Sequence, residues 1–470
     1  MKKSSLWWVL LAPLAYWVYL AFSSSMLIDS DAQTYQKLGA FLSQEGWKAY
    51  FQTGPHREPL YPLLIAFSLR LSELCALSYE KTQVIIQIGI LFLTQLLIYR
   101  VLKKLQVPNA LAVGTLFYFG ISPAIINSTF SLFSEIITYP FILVTVGIAA
   151  ESWKALLKNR RSQSLGYGAL LGINLTVLMF SKDIFELITP IFLLPFIYLF
   201  LRSLAFKNKT LVIQTSLFLI TIVLIFYPPI LAYKHANQTY NGKFTFTNRG
   251  AWALYGNTAR RMVPANRHQY LTALAYVPGE GVCHSLLGKE NCFFWSAISS
   301  DNFGHTMLKE WEDVGITPRE IDELFIAFTK AEIASNPFQY TFFATLEGVK
   351  MFFWESTRIG WVNYPGWLQT IFDIRLFNNG LRFLTAVATM SGLGFLVYWV
   401  GRKRRLILEP EKGADTIYLF FLLYFIFAYT VAHSFFFILT RYAFPIVPLY
   451  LIAIAYTLKN KFPAIDRRSA

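Results

Sequence analysis

Long apolar runs, separated by short polar or basic segments, recur along the whole chain. A helix needs about 20 residues to cross the roughly 30 Å hydrocarbon core of a bilayer, with a range of 17 to 25. Ten runs meet this length: 6–22, 83–101, 109–125, 132–150, 165–181, 185–203, 211–230, 379–400, 416–435 and 443–459. The pattern predicts an all-α polytopic membrane protein with about ten transmembrane helices.

The apolar runs divide the chain into three parts. Residues 1–230 form an N-terminal membrane module of seven spans with an outer loop at 23–82. Residues 231–378 form a mostly polar outer segment, predicted to be of mixed secondary structure, and residues 379–470 hold the last three spans. One apolar stretch in the first outer loop, Pro59 to Leu77, contains Arg70 and Glu73. It is therefore predicted as an interfacial helix rather than a span.

Composition and charge place the chain in a membrane and give it an orientation. Hydrophobic residues make up 55% and charged residues only 15%, against roughly 25% charged in soluble domains. Of the 42 basic residues, 21 lie in six short segments at alternate ends of the runs, together with only five of the 27 acidic residues. By the positive-inside rule these segments are cytoplasmic, with both termini inside. Such short basic tracts do not form the extended basic face of a nucleic-acid-binding protein.

The three cysteines show no metal-binding spacing. Cys283 and Cys292 flank a short loop in the polar outer segment, whereas Cys75 lies in the first outer loop. If the outer segment lies outside the cytoplasm, Cys283 and Cys292 could form a disulfide. Two free thiols is the alternative.

Two carboxylates, Asp29 and Asp31, follow the first span directly. A carboxylate at the membrane surface can act as a general base toward an acceptor hydroxyl. The pair could also bind a divalent metal. The alternative is a solvated loop in which Asp31 caps a helix that continues through Tyr35 to Leu42.

A second polar motif, His56-Arg57-Glu58, precedes the predicted interfacial helix. His56 and Arg57 could bind a phosphate, the arginine through two parallel hydrogen bonds. Alternatively, the motif anchors the helix among lipid headgroups, and Glu58 pairs with Arg57.

Further ionisable residues lie at the ends of three predicted spans: Glu135, Lys182 with Asp183, and Arg441 followed by Tyr442. Each could be a snorkelling anchor. The predicted topology places them at the same membrane face as Asp29, Asp31 and Arg57. Acids beside cations at this boundary could bind a phospholipid-like anion and perform acid–base chemistry.

Four motifs, in this order, resemble the C-type (GT-C) membrane glycosyltransferases. They are Asp-x-x-x-Tyr after the first span (residues 31–35), Arg-Glu-Pro-Leu-Tyr-Pro (57–62), Ser-Glu at the start of a later span (134–135) and Arg-Tyr-x-x-Pro near the end (441–445). The outer segment also looks similar at residues 248–257 and 336–340, followed by Lys350 and Trp354. The resemblance is strongest to the bacterial branch related to aminoarabinose transferases of lipid A and to protein O-mannosyltransferases.

This resemblance implies a GT-C architecture in a bacterial inner membrane and transfer of a sugar from a polyprenyl-phosphate donor on the periplasmic side. The acceptor would be a cell-envelope glycan, a lipid or a protein. It implies a catalytic acid at Asp31, with Asp29 as a second acid because Ala32 stands where many relatives have Glu. Donor phosphate would be bound by Arg57, His56, Lys182 and Arg441, with supporting roles for Tyr35, Glu58, Glu135, Asp183, Arg249 and Tyr442.

No cofactor is certain, and metal use stays open because the wider superfamily is divided on it. The rival functions are a lipid or polysaccharide transporter or flippase, and a non-catalytic assembly protein. Transporters often show internal repeats and broken helices near the bilayer midplane. The sequence shows no repeat and gathers its ionisable residues at one face, which favours the enzyme. The oligomeric state stays open.

Overall fold

The computed structural model describes residues 3–55, 57–248, 250–357, 359–436 and 438–462. Within these ranges the chain is helical, apart from turns and two very short strands. His56 and Arg249, two residues of the predicted site, lie outside the described residues.

The N-terminal part forms eleven helices and one short strand. The strand β1 covers Ser25–Met26, between the first two helices. The helices are α1 (Lys3–Ser23), α2 (Asp31–Gln44), α3 (Gly46–Gln52), α4 (Leu60–Cys75), α5 (Tyr79–Lys104), α6 (Asn109–Ile121), α7 (Pro123–Phe130), α8 (Glu135–Leu157), α9 (Arg161–Ser181), α10 (Phe185–Ala205) and α11 (Lys209–Asn241).

The outer segment and the C-terminal part contribute the remaining elements. The outer segment contains α12 (Gly250–Met262), α13 (Arg267–Tyr276), α14 (Glu280–Leu287), α15 (Lys289–Phe293), α16 (Ala297–Asp313), α17 (Pro318–Ser335), α18 (Pro337–Lys350), β2 (Val362–Asn363) and α19 (Gly366–Phe372). The C-terminal part contains α20 (Arg375–Arg402), a 3-10 helix (Arg404–Leu408), α21 (Ala414–Ser434), a second 3-10 helix (Thr440–Ile446) and α22 (Val447–Lys461).

Eight of these helices are long and apolar enough to cross a membrane, which identifies an all-α, multi-pass membrane protein. They are α5, α8, α9, α10, α11, α20, α21 and α22 with the 3-10 turn before it. The predicted span at 109–125 is a bent pair, α6 and α7, which counts as a ninth if taken as one span. In the first predicted span the described apolar part of α1, Leu11–Ser23, is shorter than a full crossing. The predicted interfacial stretch is α4, which is not among the candidate spans.

The bend between α6 and α7 has a local cause. The two helices meet at 48°. Pro123 lacks the backbone N–H that would continue α6, and the Ser122 side chain caps α7 instead. The buried Glu355 carboxylate, from the outer segment, accepts hydrogen bonds from the Tyr118 and Ser122 hydroxyls and the Ala124 N–H, at 2.6, 2.7 and 2.9 Å. The outer segment is thereby bound to the broken span.

The outer segment differs from its prediction in two ways. It was predicted to be mixed, but its described secondary-structure elements are helices, except for the two-residue strand β2. The proposed boundary at 230/231 falls inside α11, which continues to Asn241. Within this segment, Thr317 caps α17 in a capping box with Glu320, and Pro318 is the first residue of the helix.

Close helix packing shapes the outer segment. A Cβ placed on Gly256 of α12 would lie 2.4 Å from the Ser300 carbonyl oxygen of α16. Only glycine allows this approach, so Gly256 sets the contact between α12 and α16. In the membrane part, α8, α21 and α22 lie at the centre, with most of their apolar positions buried inside the protein.

Cys283 and Cys292 form a disulfide in the outer segment, between α14 and α15. Both residues are fully buried, whereas Cys75 is exposed. We therefore expect alkylation of the denatured, unreduced protein to label Cys75 alone, as read by peptide mass mapping. Denatured, reduced protein is the control, in which all three cysteines react. Labelling of Cys283 or Cys292 in the unreduced protein would contradict the disulfide.

Candidate active site

The segment that carries Asp31 is held between the membrane part and the outer segment. Strand β1 pairs antiparallel with β2, Ser25 opposite Asn363 and Met26 opposite Val362. The Leu27 N–H then donates to the Trp361 carbonyl at 2.9 Å. These bonds fix the chain just before Asp31, which is the first residue of α2.

Asp31 is not a helix cap. The capping position of α2 belongs to Ser30, whose side chain makes no capping hydrogen bond. The Asp31 carboxylate instead contacts two arginines, Arg57 through one oxygen and Arg441 through the other. The capping interpretation of Asp31 was therefore wrong, because two cations attract the carboxylate more strongly than free backbone N–H groups.

Both arginines come from well-fixed backbone. The Tyr50 hydroxyl donates to the Arg57 carbonyl at 2.8 Å, and the Tyr429 hydroxyl donates to the Tyr442 carbonyl, next to Arg441, at 2.8 Å. The Arg441 guanidinium lies over the Phe133 ring at 4.3 Å, and that of Arg57 lies 5.5 Å from the Tyr35 ring. The side chains of Arg57 and Arg441 are only 9% and 11% exposed, while that of Asp31 is 24% exposed. Asp31 is thus the most accessible member of the triplet formed by Asp31, Arg57 and Arg441.

A second ion pair lies beside the first. Lys182, just after α9, contacts Glu135, the first residue of α8, with its Nζ 2.9 Å from Oε1. Both side chains are nearly buried. The Lys182 ammonium also lies 5.6 Å from the Tyr442 ring, next to Arg441. Burial alone would lower the pKa of Lys182, but the Glu135 charge raises it, so the lysine stays charged.

Glu58 and Asp183 complete the cluster. Glu58 accepts a hydrogen bond from the Asp183 N–H at 3.0 Å and has no ion pair with Arg57, so the pairing considered from the sequence is wrong. The Asp183 carboxylate accepts from the Thr247 hydroxyl at 2.7 Å, a contact from the outer segment. The Tyr35 hydroxyl lies 3.0 Å from the Ser134 hydroxyl, beside Glu135.

The two buried acids of the first outer loop have opposite electrostatic environments. Burial tends to raise the pKa of Asp31, but the charges of Arg441 and Arg57 outweigh it and lower this pKa below its usual range. Burial and, after it, the neighbouring charge of Asp183 together raise the pKa of Glu58 to about 8. At neutral pH the Asp31 carboxyl is therefore ionised, whereas the Glu58 carboxyl is largely protonated.

The protonated Glu58 predicts a pH dependence of stability. A carboxyl whose folded pKa is raised stabilises the fold fully below its unfolded pKa of 4.5, and this contribution is lost as pH rises through about 8. We expect the melting temperature in detergent to fall across that interval. Glu58→Gln, which mimics the protonated carboxyl, should show a smaller fall, and an equal fall in both proteins would contradict the assignment.

Asp29 lies apart from the cluster. Its carboxylate accepts the Ser30 N–H at 2.7 Å at the exposed surface, and it has no ion pair among the described residues. Both oxygens of Asp31 face guanidinium groups. In the described ranges, no group of three His, Cys, Asp or Glu side chains is arranged to hold a metal ion.

Sequence reasoning missed Asp301 on α16 and the charged group behind it. Burial raises the pKa of Asp301, opposed by His305 and reinforced by Asp31, so Asp301 lies within electrostatic reach of the cluster. Behind it, buried Glu347 binds the side chains of Arg260 and Lys350 at 3.1 and 2.9 Å. Of these residues, only Lys350 was named from the sequence, through the family resemblance. The spacing of Asp301, Arg260 and Glu347 in the sequence follows no recognisable motif.

The sequence matches no protein-family model, and no curated protein matches it significantly.

The cluster joins residues that were predicted to share one membrane face. Asp31, Arg57, Glu58, Glu135, Lys182, Asp183 and Arg441 are linked by the direct contacts above or through the neighbouring residues Ser134 and Tyr442. They come from the starts of α2 and α8, the segment before α4, the residues after α9 and the 3-10 helix before α22, which all lie at one end of the helix bundle. This end of the bundle therefore contains the ionised Asp31 carboxylate and three largely buried cations, Arg57, Lys182 and Arg441. It also contacts the outer segment.

Proposed function

We propose that this chain is a membrane glycosyltransferase that moves a sugar from a polyprenyl-phosphate donor to an acceptor hydroxyl. Transfer takes place at the membrane face that carries Asp31, on the periplasmic side by the distribution of basic residues. The observation that supports the proposal is the triplet in which Asp31 lies between Arg57 and Arg441.

The donor phosphate binds to the arginines. Arg57 and Arg441 each contact Asp31 through one terminal nitrogen. The buried Nε of each arginine has no hydrogen-bond acceptor among the described residues. Buried donors without a partner cost free energy, which a phosphate oxygen would recover. Arginine suits this task because its planar group binds phosphate through parallel hydrogen bonds. Lys182 lies close enough to add a third positive charge to the leaving phosphate.

Asp31 accepts the proton of the acceptor hydroxyl. The acceptor oxygen attacks the anomeric carbon, the bond from that carbon to the phosphate oxygen breaks, and polyprenyl phosphate leaves as a dianion held by the cations. A single displacement inverts the anomeric configuration. Stabilisation of the charge that develops on the phosphate is the larger contribution to the rate, with proton transfer contributing about 10²–10⁴-fold.

The ion pairs couple the two tasks. In the free protein the arginines keep Asp31 ionised and weakly basic. A phosphate that engages Arg57 and Arg441 draws part of their charge away from the carboxylate. Asp31 then becomes more basic when donor is bound, which is when a base is needed.

A transfer assay tests this function. Purified protein receives a panel of polyprenyl-phosphate sugars with native lipid extract as acceptor, and donor binding is measured in the same preparation. Transfer by the wild type that is lost in Arg441→Gln supports the proposal. Folded protein that neither binds nor transfers any donor would contradict it, and donor movement across a vesicle membrane without transfer would establish the flippase function instead.

A further inference from the structure

A second charged feature lies at the other end of the helix bundle. An open groove of about 570 Å³ runs between α10 and α21. Leu194, Pro195 and Tyr198 of α10 form one wall, Phe420 and Tyr424 of α21 form the other, and Trp153 of α8 lies between them. The groove is close to the ends of α8 and α10 and to the start of α21. Since α8 begins at the candidate active site and has 23 residues, its far end lies roughly 30 Å away.

The groove is a built feature with a local cause. Pro195 has no N–H, so the Ile191 carbonyl one turn earlier loses its helical partner. The Tyr424 hydroxyl donates to that carbonyl at 2.9 Å and crosses from α21 to α10. The Trp153 indole N–H donates to the Ile407 carbonyl of the 3-10 helix at 2.8 Å, which places that helix across the end of the groove.

Three arginines line the same end. Arg202 comes from the last turn of α10, and Arg404 and Arg405 come from the 3-10 helix after α20. None of them forms an ion pair with a carboxylate in the described part of the chain. The nearby acids do not neutralise them: Glu411 pairs with Lys158 and Glu151 with Lys104 and Lys154. An apolar groove between membrane helices therefore ends in three arginines that form no ion pair among the described residues.

We propose that this groove binds an anionic glycerophospholipid. Its phosphate sits on Arg202, Arg404 and Arg405, and one acyl chain lies along the wall of Leu194, Tyr198 and Phe420. Basic pockets between helices at the membrane surface recognise acidic headgroups in this way, and arginine forms strong charge-assisted hydrogen bonds with phosphate. A zwitterionic lipid brings a compensating positive charge and binds less well. This site is separate from the one at Asp31, since it lies at the opposite end of the bundle.

Lipid binding to the purified full-length protein tests the proposal. Native mass spectrometry would follow retention of phosphatidylglycerol, phosphatidylcholine and inorganic phosphate, each added separately. We expect phosphatidylglycerol to bind about tenfold more tightly than phosphatidylcholine, because the choline ammonium offsets the phosphate charge that the arginines bind. Equal binding of the two lipids would overturn the proposal. Phosphate that binds as tightly as the lipid would show an anion site without a lipid groove and would overturn it too.

Two variants and a matched control locate the site. The triple change R202Q/R404Q/R405Q should remove the preference for phosphatidylglycerol. The control R160Q/K207Q/K209Q removes the same charge from exposed residues at the same end and should keep it. Leu194→Trp fills the groove and leaves the arginines intact, so it should weaken lipid binding without a change in net charge. An equal loss in the control, or full binding by both groove variants, would contradict the assignment.

Discussion

Replacement of Asp31 by asparagine is expected to lower the rate of sugar transfer by about 10²–10⁴-fold while donor binding persists. The amide keeps the size of the side chain but cannot accept the proton of the acceptor hydroxyl. It also leaves the Arg57 and Arg441 charges free for the donor phosphate, because Asp31 is the carboxylate that contacts both. We therefore expect the turnover number to fall and the donor dissociation constant to stay equal or decrease. Single-turnover transfer and equilibrium donor binding measure the two quantities.

Glu73→Gln is the matched control for this substitution. Glu73 is an exposed acid on α4, and its side chain makes no hydrogen bond or ion pair with other described residues. It should transfer sugar at the wild-type rate. Wild-type activity in the Asp31→Asn protein would remove Asp31 from the mechanism. A joint loss of donor binding and activity in a folded Asp31→Asn protein would instead give Asp31 a structural role.

Glu347→Gln is expected to cause the largest loss of stability. The Glu347 carboxylate is buried and contacts Arg260 and Lys350, and it accepts the Ile438 N–H at 3.2 Å. The neutral amide removes the negative charge that faces these two buried cations. Removal of one partner from a buried ion pair costs about 3–5 kcal/mol. The glutamine oxygen can still accept the Ile438 N–H, so the expected loss comes from the missing charge. Thermal unfolding in detergent, followed by circular dichroism, measures the loss.

Glu290→Gln provides the comparison, because Glu290 is exposed and has no ion pair among the residues the structure describes. Surface substitutions of this kind change stability by less than about 0.5 kcal/mol. If Glu347→Gln unfolds at the same temperature as Glu290→Gln, the Glu347 cluster does not support the fold.

The spans were predictable from sequence because lipid imposes one simple requirement, an apolar run of sufficient length. The residues at which the membrane helices end were harder to predict. The last turns of α11 are polar, yet they stay helical because Asn237 donates to the Thr245 carbonyl and Lys234 pairs with Glu186 on α10. These are tertiary contacts, so the length of an apolar run in the sequence does not predict them. The break before α7 had a local signal in Pro123, whereas Glu355 lies 231 residues or more from the groups at the break that it binds.

The candidate site was predictable in its residue types but not in its pairs. Ionisable residues at span ends cost desolvation energy in lipid, so their gathering at one face follows from the sequence. Which acid pairs with which cation does not. Arg441 lies 410 residues from Asp31, and Glu58 prefers the Asp183 backbone to its own neighbour Arg57. Asp301 had no signal at all, since an acid in a polar segment is ordinary until the fold places it near Asp31.

The most direct measurement is a structure of the protein with a bound polyprenyl phosphate. We expect phosphate density within hydrogen-bond distance of the Nε atoms of Arg57 and Arg441, with longer contacts from both arginines to Asp31. Density for the phosphate at Arg202, Arg404 and Arg405 alone, with the Asp31 triplet unchanged, would contradict the proposed donor site.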